Sequence, residues 1–270
     1  MTTAPLRPLT TGELLDRTFS LYKDNFALFV GIVALPRLIS LAVQLSSISL
    51  RSQTGLSAAF GAALWGLVFA LVSLMVAAAS QAATVVAVSQ LHLGRPTSVS
   101  EAYSRVKGRI VRVALLTIVV GLGVGLGFVL LVIPGIILAL MWSLAVPVAI
   151  LEDRGINDSV SRSSELTKGS RWRIFVIWVM FIVLSIVVAF LIEWPIGLVA
   201  GMLGAKAVNS AGIQVASAIA SFISQCLVGP LATIGFSLLY YDQRVRKEAF
   251  DLHHMMETLD GTQPGLAHAT

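Results

Sequence analysis

Residues 113–151 read VALLTIVVGLGVGLGFVLLVIPGIILALMWSLAVPVAIL, which is 39 residues without a charged side chain. Two further runs, 52–94 and 207–241, contain 43 and 35 residues without Asp, Glu, Lys or Arg. A helix rises about 1.5 Å per residue and the hydrocarbon core of a bilayer is about 30 Å thick, so about 20 apolar residues cross it. Each run is long enough for one or two crossings, which predicts an all-α polytopic membrane protein.

The composition supports one membrane domain over nearly the whole length. Of the 270 residues 56% are hydrophobic and 12% are charged, whereas soluble domains carry about 25% charged residues. We predict a cytoplasmic N-terminal segment with an interfacial helix at 1–25, a transmembrane domain at 26–241 and a cytoplasmic tail at 242–270. The net charge of +5 is interpreted as attraction to anionic lipid on the cytoplasmic face. Nucleic acid is not expected, because aromatic residues do not interleave with the basic ones.

About six transmembrane helices are expected, at about 26–49, 60–88, 112–133, 136–151, 174–199 and 213–240. The third and fourth are separated at Pro134 and Gly135, near the midpoint of the longest run. Proline interrupts helical hydrogen bonding and glycine suits a turn, so a tight hairpin is predicted there. The alternative is a re-entrant pair of helices that does not reach the far side.

The basic residues predict the orientation. With both termini in the cytoplasm, 16 of the 19 Lys and Arg residues fall in cytoplasmic segments. Only Arg51 and Lys206 fall in outward loops, and Arg37 lies within a span. Cytoplasmic loops of membrane proteins carry such an excess of positive charge. The sequence therefore predicts a multi-pass protein with both ends inside.

The segments before the first, third and fifth spans resemble one another, at 10–25, 98–108 and 157–169. The first two begin with capping boxes, Thr10 with Glu13 and Ser98 with Glu101. All three close with Lys followed by Asp-Asn or Gly, a signal for the end of a helix. They are interpreted as short amphipathic helices in the inner interface. The expected architecture is three units, each an amphipathic helix followed by a helical hairpin.

Two charged residues lie within predicted spans and are functional hypotheses by default. Arg37 follows Pro36 about half-way along span one, and Glu193 lies near the outer end of span five. They can pair with each other, although the simple depths differ by about 12 Å. The favoured alternative is that Arg37 meets backbone carbonyls or snorkels, while Glu193 reaches the outer interface beside Trp194.

Four stretches together carry a resemblance: LLVIPGII (130–137), AVPVAILE (145–152), SRSSELTKG (161–169) and LYYDQRVRKE (239–248). They resemble the bacterial integral membrane family named after the membrane domain of glycerophosphodiester phosphodiesterases. The resemblance implies a six-span protein of the bacterial plasma (inner) membrane. Some family members continue into a soluble phosphodiesterase domain, which this sequence is not expected to contain, so the resemblance implies no hydrolase activity.

The motif positions supply most of the candidate site residues: Pro134, Gly135, Glu152, Arg162, Ser163, Lys168, Gly169, Tyr241, Asp242 and Arg244. Glu152 and Asp242 are predicted to pair with the nearby arginines and to staple the inner ends of the spans together. Binding of lipid headgroups by these arginines is the alternative.

No catalytic, metal-binding or nucleotide-binding motif is present, so we expect no enzyme activity, cofactor or metal. The expected function is that of an accessory or organising protein acting on lipid or on a membrane protein partner. The alternative is a transporter of a lipid or a small amphipathic solute.

Overall fold

The structure, a computed structural model, describes the backbone of residues 9–50, 56–204 and 210–261 and the side chains of 9–46, 60–204 and 210–248. Within these ranges the chain forms ten helices and no strand. They are α1 (Thr11–Asp24), α2 (Phe26–Leu50), α3 (Leu56–His92), α4 (Val99–Val106), α5 (Ile110–Leu130), α6 (Val132–Met141), α7 (Ala145–Leu151), α8 (Ile156–Thr167), α9 (Arg171–Leu203) and α10 (Ala211–Gly261).

Six helical segments among the described residues are long and apolar enough to cross a membrane. They are Phe26–Ser46, Phe60–His92, Ile110–Leu130, Val132–Leu151, Arg171–Leu203 and Ala211–Glu248. The prediction of an all-α polytopic membrane protein is therefore confirmed. Arg51 and Lys206, the two basic residues predicted in outward loops, lie outside the described residues.

The helices form three successive units of one amphipathic helix and one hairpin. Unit 1 is α1 with the α2–α3 hairpin, unit 2 is α4 with α5 and α6–α7, and unit 3 is α8 with α9–α10. The side chain of Thr10 and that of Glu13 form the expected capping box at α1. Ser98 caps α4, but the carboxylate of Glu101 binds Arg105 instead of closing the box. We call the end of the bundle where α1, α4 and α8 lie the amphipathic end.

The apolar faces of the amphipathic helices pack against the protein. Helix α1 lies against α10, α4 against α3, and α8 against α7. Leu14 of α1, Val106 of α4 and Leu166 of α8 are fully buried. These faces therefore cover the ends of the spanning helices, in addition to any contact that their other sides make with lipid.

The turn between the third and fourth spans lies at Leu131, so its prediction at Pro134 and Gly135 was wrong by three residues. Helix α5 ends at Leu130, and Leu131 has an extended backbone with φ −163° and ψ 149°. Pro134 is the third residue of α6, where the missing N–H would have had no helical acceptor. Gly135 allows close packing in the hairpin, because a Cβ there would lie 2.5 Å from Cγ of Phe128.

Each amphipathic helix donates a side-chain hydroxyl to a backbone carbonyl of another unit. Tyr22 of α1 donates to the carbonyl of Leu227 in α10, at 2.8 Å. Tyr103 of α4 donates to the carbonyl of Ile32 in α2. Ser163 of α8 donates to the carbonyl of Met141 at the end of α6, at 2.8 Å. Unit 1 thus binds unit 3, unit 2 binds unit 1 and unit 3 binds unit 2, which closes a ring of three bonds.

The Tyr103 bond compensates for a proline. Pro36 has no N–H, so the carbonyl of Ile32, four residues earlier, lacks its helical donor. The sequence suggested that Arg37, next to this proline, meets backbone carbonyls, whereas the carbonyl of Ile32 is satisfied by the hydroxyl of Tyr103. Burial raises the pKa of Tyr103, which keeps the hydroxyl protonated and able to donate.

We expect Tyr103→Phe to lower the free energy of unfolding by about 1–3 kcal/mol, because it leaves a partly buried carbonyl without a donor. Thermal unfolding in detergent measures the change. Ser104→Ala is the matched control on the same helix, since the Ser104 hydroxyl is exposed and bonds within α4. Equal melting temperatures for Tyr103→Phe and Ser104→Ala would contradict the role of the Tyr103 bond.

Candidate functional site

Asp242 is the centre of one ionic cluster at the amphipathic end. Its side chain is 0% exposed, although it carries a carboxylate. Oδ1 accepts a hydrogen bond from the backbone N–H of Leu9 at 2.7 Å. Oδ2 accepts from Nε of Arg246 at 2.9 Å and also pairs with Nη1 of Arg173. Two cations and one amide therefore compensate a single buried carboxylate.

The same cluster holds the segment before α1. Arg173, at the start of α9, donates to the backbone oxygen of Leu9 at 2.8 Å and to Oγ1 of Thr11 at 3.3 Å. Arg246 of α10 donates to the same oxygen of Leu9. The beginning of unit 1 is therefore attached to both spanning helices of unit 3.

Glu152 is the centre of a second cluster, at the end of α7. Its carboxylate accepts from Nε of Arg154 at 2.6 Å and from the hydroxyl of Tyr240 at 2.9 Å. Nε of Arg162 lies 3.5 Å from Oε1 of Glu152, and Nη2 of Arg162 lies 2.9 Å from Oε1 of Glu248. The predicted pairs are thus in contact, and this cluster joins unit 2 to unit 3.

The surroundings of Arg162 keep its charge fixed. Burial alone would lower the pKa of Arg162, but the carboxylates of Glu152, Glu248 and Glu165 outweigh it and raise the pKa above its ordinary value. Arg244, a further candidate, donates from Nε to Oε2 of Glu248 at 2.8 Å. Both arginines are thus engaged by carboxylates, which favours stapling over headgroup binding at these two positions.

The fourth span is broken, and Ser163 compensates for the break. Residues Trp142–Leu144 interrupt the helix between α6 and α7. The hydroxyl of Ser163 donates to the carbonyl of Met141 and accepts from the N–H of Leu144 at 3.2 Å. Sequence reasoning missed the break. Pro147 was the available signal for this break. Proline is tolerated in the first turn of a helix, so Pro147, the third residue of α7, is consistent with a new helix that begins at Ala145.

The remaining motif residues have separate positions at the same end. Gly169 adopts φ +86° in the turn between α8 and α9, a conformation that favours glycine. Lys168 precedes it and is exposed. Tyr241 stacks on His92 with ring centroids 4.8 Å apart, and its hydroxyl donates to Oγ of Ser89 at 3.0 Å. Pro134 and Gly135 lie in the α5–α6 hairpin and take no part in these clusters.

Arg37 and Glu193 do not contact each other. Nη1 of Arg37 donates to Oε1 of Gln225 in α10, so its hydrogen bond goes to a side chain and not to the backbone carbonyls expected. Glu193 accepts from the hydroxyl of Ser221 at 3.0 Å. Ser221 and Gln225 are one turn apart on the same face of α10, so each of the two charges bonds to its own neutral side chain on that helix.

A cavity of about 330 Å³ lies beside the break in the fourth span, among α3, α5, α7 and α10. Its lining is mainly apolar, with Gln81, Thr117 and Ser143 among the polar exceptions. The ring of Trp142 lines it too, and the Trp142 Nε1–H is buried without a hydrogen-bond partner. Within the described residues, no three His, Cys, Asp or Glu side chains are grouped to hold a metal ion.

The fold and these clusters define a polytopic membrane protein made of three helix-plus-hairpin units. A family model described as the membrane domain of glycerophosphoryl diester phosphodiesterase matches residues 115–258, which is more than half of the chain. The chain therefore belongs to this family, as its motifs predicted. A search of curated proteins and a search of solved structures found no match. The matched residues include both Glu152 and Asp242.

We expect Asp242→Asn to lower the free energy of unfolding by about 3–5 kcal/mol, because it leaves the charges of Arg173 and Arg246 without their buried counterion. Thermal unfolding measures this loss, and limited proteolysis before α1 should become faster. Asp153→Asn is the control, since Asp153 also pairs with two arginines but is 55% exposed. Exposed ion pairs of this kind contribute about 0–1 kcal/mol to the free energy of unfolding. Similar losses for the two variants would contradict the stabilising role of the buried Asp242 carboxylate.

Proposed function

We propose that the chain is a non-enzymatic accessory protein of the bacterial plasma membrane, with both termini in the cytoplasm, which binds anionic lipids at its amphipathic end. By binding these lipids or a membrane protein partner, it organises the lipids or proteins next to it in the membrane. The proposal is supported by exposed basic residues that take no part in the ionic clusters. It concerns this chain alone. No phosphodiesterase activity is part of it.

Five basic residues at the amphipathic end are exposed and have no carboxylate partner among the described residues: Lys23, Arg95, Lys107, Lys168 and Arg171. Each lies at, or within three residues of, the end of a helix in a candidate span. That position is the level of lipid headgroups. A basic residue near an anionic membrane surface contributes about 1 kcal/mol of attraction.

The balance of exposed charge at this end remains positive. Asp16, Asp24 and Asp158 are the exposed acids there outside the ion pairs within the described residues. Trp172 follows Arg171 at the start of α9 and is 76% exposed, and tryptophan is enriched at membrane–water interfaces. Cations together with an aromatic anchor favour an anionic lipid surface as the partner.

We expect the double variant Lys168→Gln, Arg171→Gln to retain fewer anionic lipids than the unchanged chain. Native mass spectrometry on protein extracted directly into lipid nanodiscs counts the lipids that remain bound. The matched control is Arg105→Gln, Arg112→Gln, which removes the same charge from arginines already paired with Glu101 and Asp153. Equal retention by both double variants would contradict the lipid role. The same spectra test for a stoichiometric protein partner.

A transporter of a lipid or small amphipathic solute is the second candidate, favoured by the cavity beside the broken fourth span. Broken helices at membrane depth often line transport sites. Uptake into proteoliposomes distinguishes the two functions. The transporter predicts uptake of a lipid-like solute, whereas the accessory protein predicts no uptake above empty vesicles.

A further inference from the structure

A second cavity, of about 270 Å³, lies between α2, α3 and α10 at the depth of Arg37. Its polar lining consists of Arg37, Ser40, Gln44, Ser73 and Gln225. Arg37 is the twelfth residue of α2, about 16 Å along the helix at 1.5 Å per residue. The cavity therefore extends from the middle of the bundle towards the end opposite the amphipathic end.

The polar atoms around this cavity are unusual because several of them have no partner. Seven buried side-chain nitrogen or oxygen atoms of the described residues make no hydrogen bond, and three of them belong to Arg37, Ser40 and Ser73. They are Nε of Arg37 and the two serine hydroxyls. A buried polar group without a partner costs about 1–3 kcal/mol. Three such groups from two helices lie around one space, where a polar ligand would satisfy them.

The charge of Arg37 specifies the kind of ligand. Among the described residues no carboxylate pairs with it, and its hydrogen bond to Gln225 supplies only a neutral acceptor. Glu193 is engaged with Ser221 on α10. A guanidinium offers donors alone, and the serine hydroxyls can donate as well. A charge at this depth is costly unless it is paired, so the complementary ligand is an oxyanion.

The rest of the wall is apolar, with Leu41, Phe69, Ala218 and Phe222. We propose that this cavity binds the oxyanion group, carboxylate or phosphate, of a ligand with an apolar chain. Arg37 binds the charged oxygens, and the hydroxyls of Ser40 and Ser73 donate to them as well. The apolar part of the ligand lies against the rings of Phe69 and Phe222. This site is separate from the cations of the amphipathic end, so it goes beyond the proposed lipid surface and does not depend on it.

The test uses the full chain in nanodiscs of neutral lipid, with dodecyl phosphate as the probe. We expect Arg37→Gln to bind dodecyl phosphate about 10- to 100-fold more weakly, as for the loss of a charge-assisted hydrogen bond. Dodecanol, which lacks the charge, should bind the unchanged chain and Arg37→Gln equally well. Inorganic phosphate alone tests whether the ligand is a free oxyanion without an apolar chain. If it binds as tightly as dodecyl phosphate, the apolar part of the proposal is wrong.

Two further variants keep the test decisive. Ser40→Ala, Ser73→Ala retains the guanidinium and should weaken binding about 3- to 10-fold, as for the loss of neutral hydrogen bonds. Arg105→Gln removes one charge from the surface of α4 and should leave binding unchanged. Without probe, Arg37→Gln should melt no lower than the unchanged chain, since it removes a half-buried charge that has no carboxylate partner among the described residues. Equal binding by the unchanged chain and Arg37→Gln would overturn the proposal.

Discussion

Every backbone polar group within a membrane must find a partner inside the protein, and in this chain the amphipathic helices meet that requirement where the spans are interrupted. Tyr103 donates to the carbonyl freed by Pro36, and Ser163 bridges the break after Met141. Tyr22 of α1 donates to the carbonyl of Leu227 in α10, where the helix is continuous, and so adds a bond between units 1 and 3. Because each bond joins two different units, the three bonds fix the order in which the units surround one another.

The buried carboxylates hold this arrangement at its amphipathic end. Asp242 connects the start of unit 1 to α9 and α10, and Glu152 connects unit 2 to unit 3 through Arg162 and Tyr240. Both carboxylates lie against or within α10, the helix that contacts members of all three units. The arginines in these clusters serve the fold and are distinct from the exposed cations on which the proposed lipid binding rests.

The sequence predicted the spans and the three units because long uncharged runs and capping boxes are local signals. It also predicted that Glu152 and Asp242 would pair with nearby arginines, although not which arginine each would bind. It could not predict the turn at Leu131, since proline is tolerated in the first turn of a helix and so marks the start of α6 as readily as the end of α5. The role of Tyr103 and the cavity at Arg37 were likewise beyond the sequence, because each depends on helices far apart in the chain.

Cysteine accessibility tests the arrangement of the three units most directly. In a Cys226→Ala background, which removes the single native cysteine, cysteines replace the exposed residues Ser20, Ser104, Asn157 and Ser210 one at a time. A membrane-impermeant maleimide is applied to vesicles of each orientation. The account predicts that the first three positions, on α1, α4 and α8, react from one side and that position 210 reacts from the other. Reaction of any amphipathic helix from the side of position 210 would contradict it.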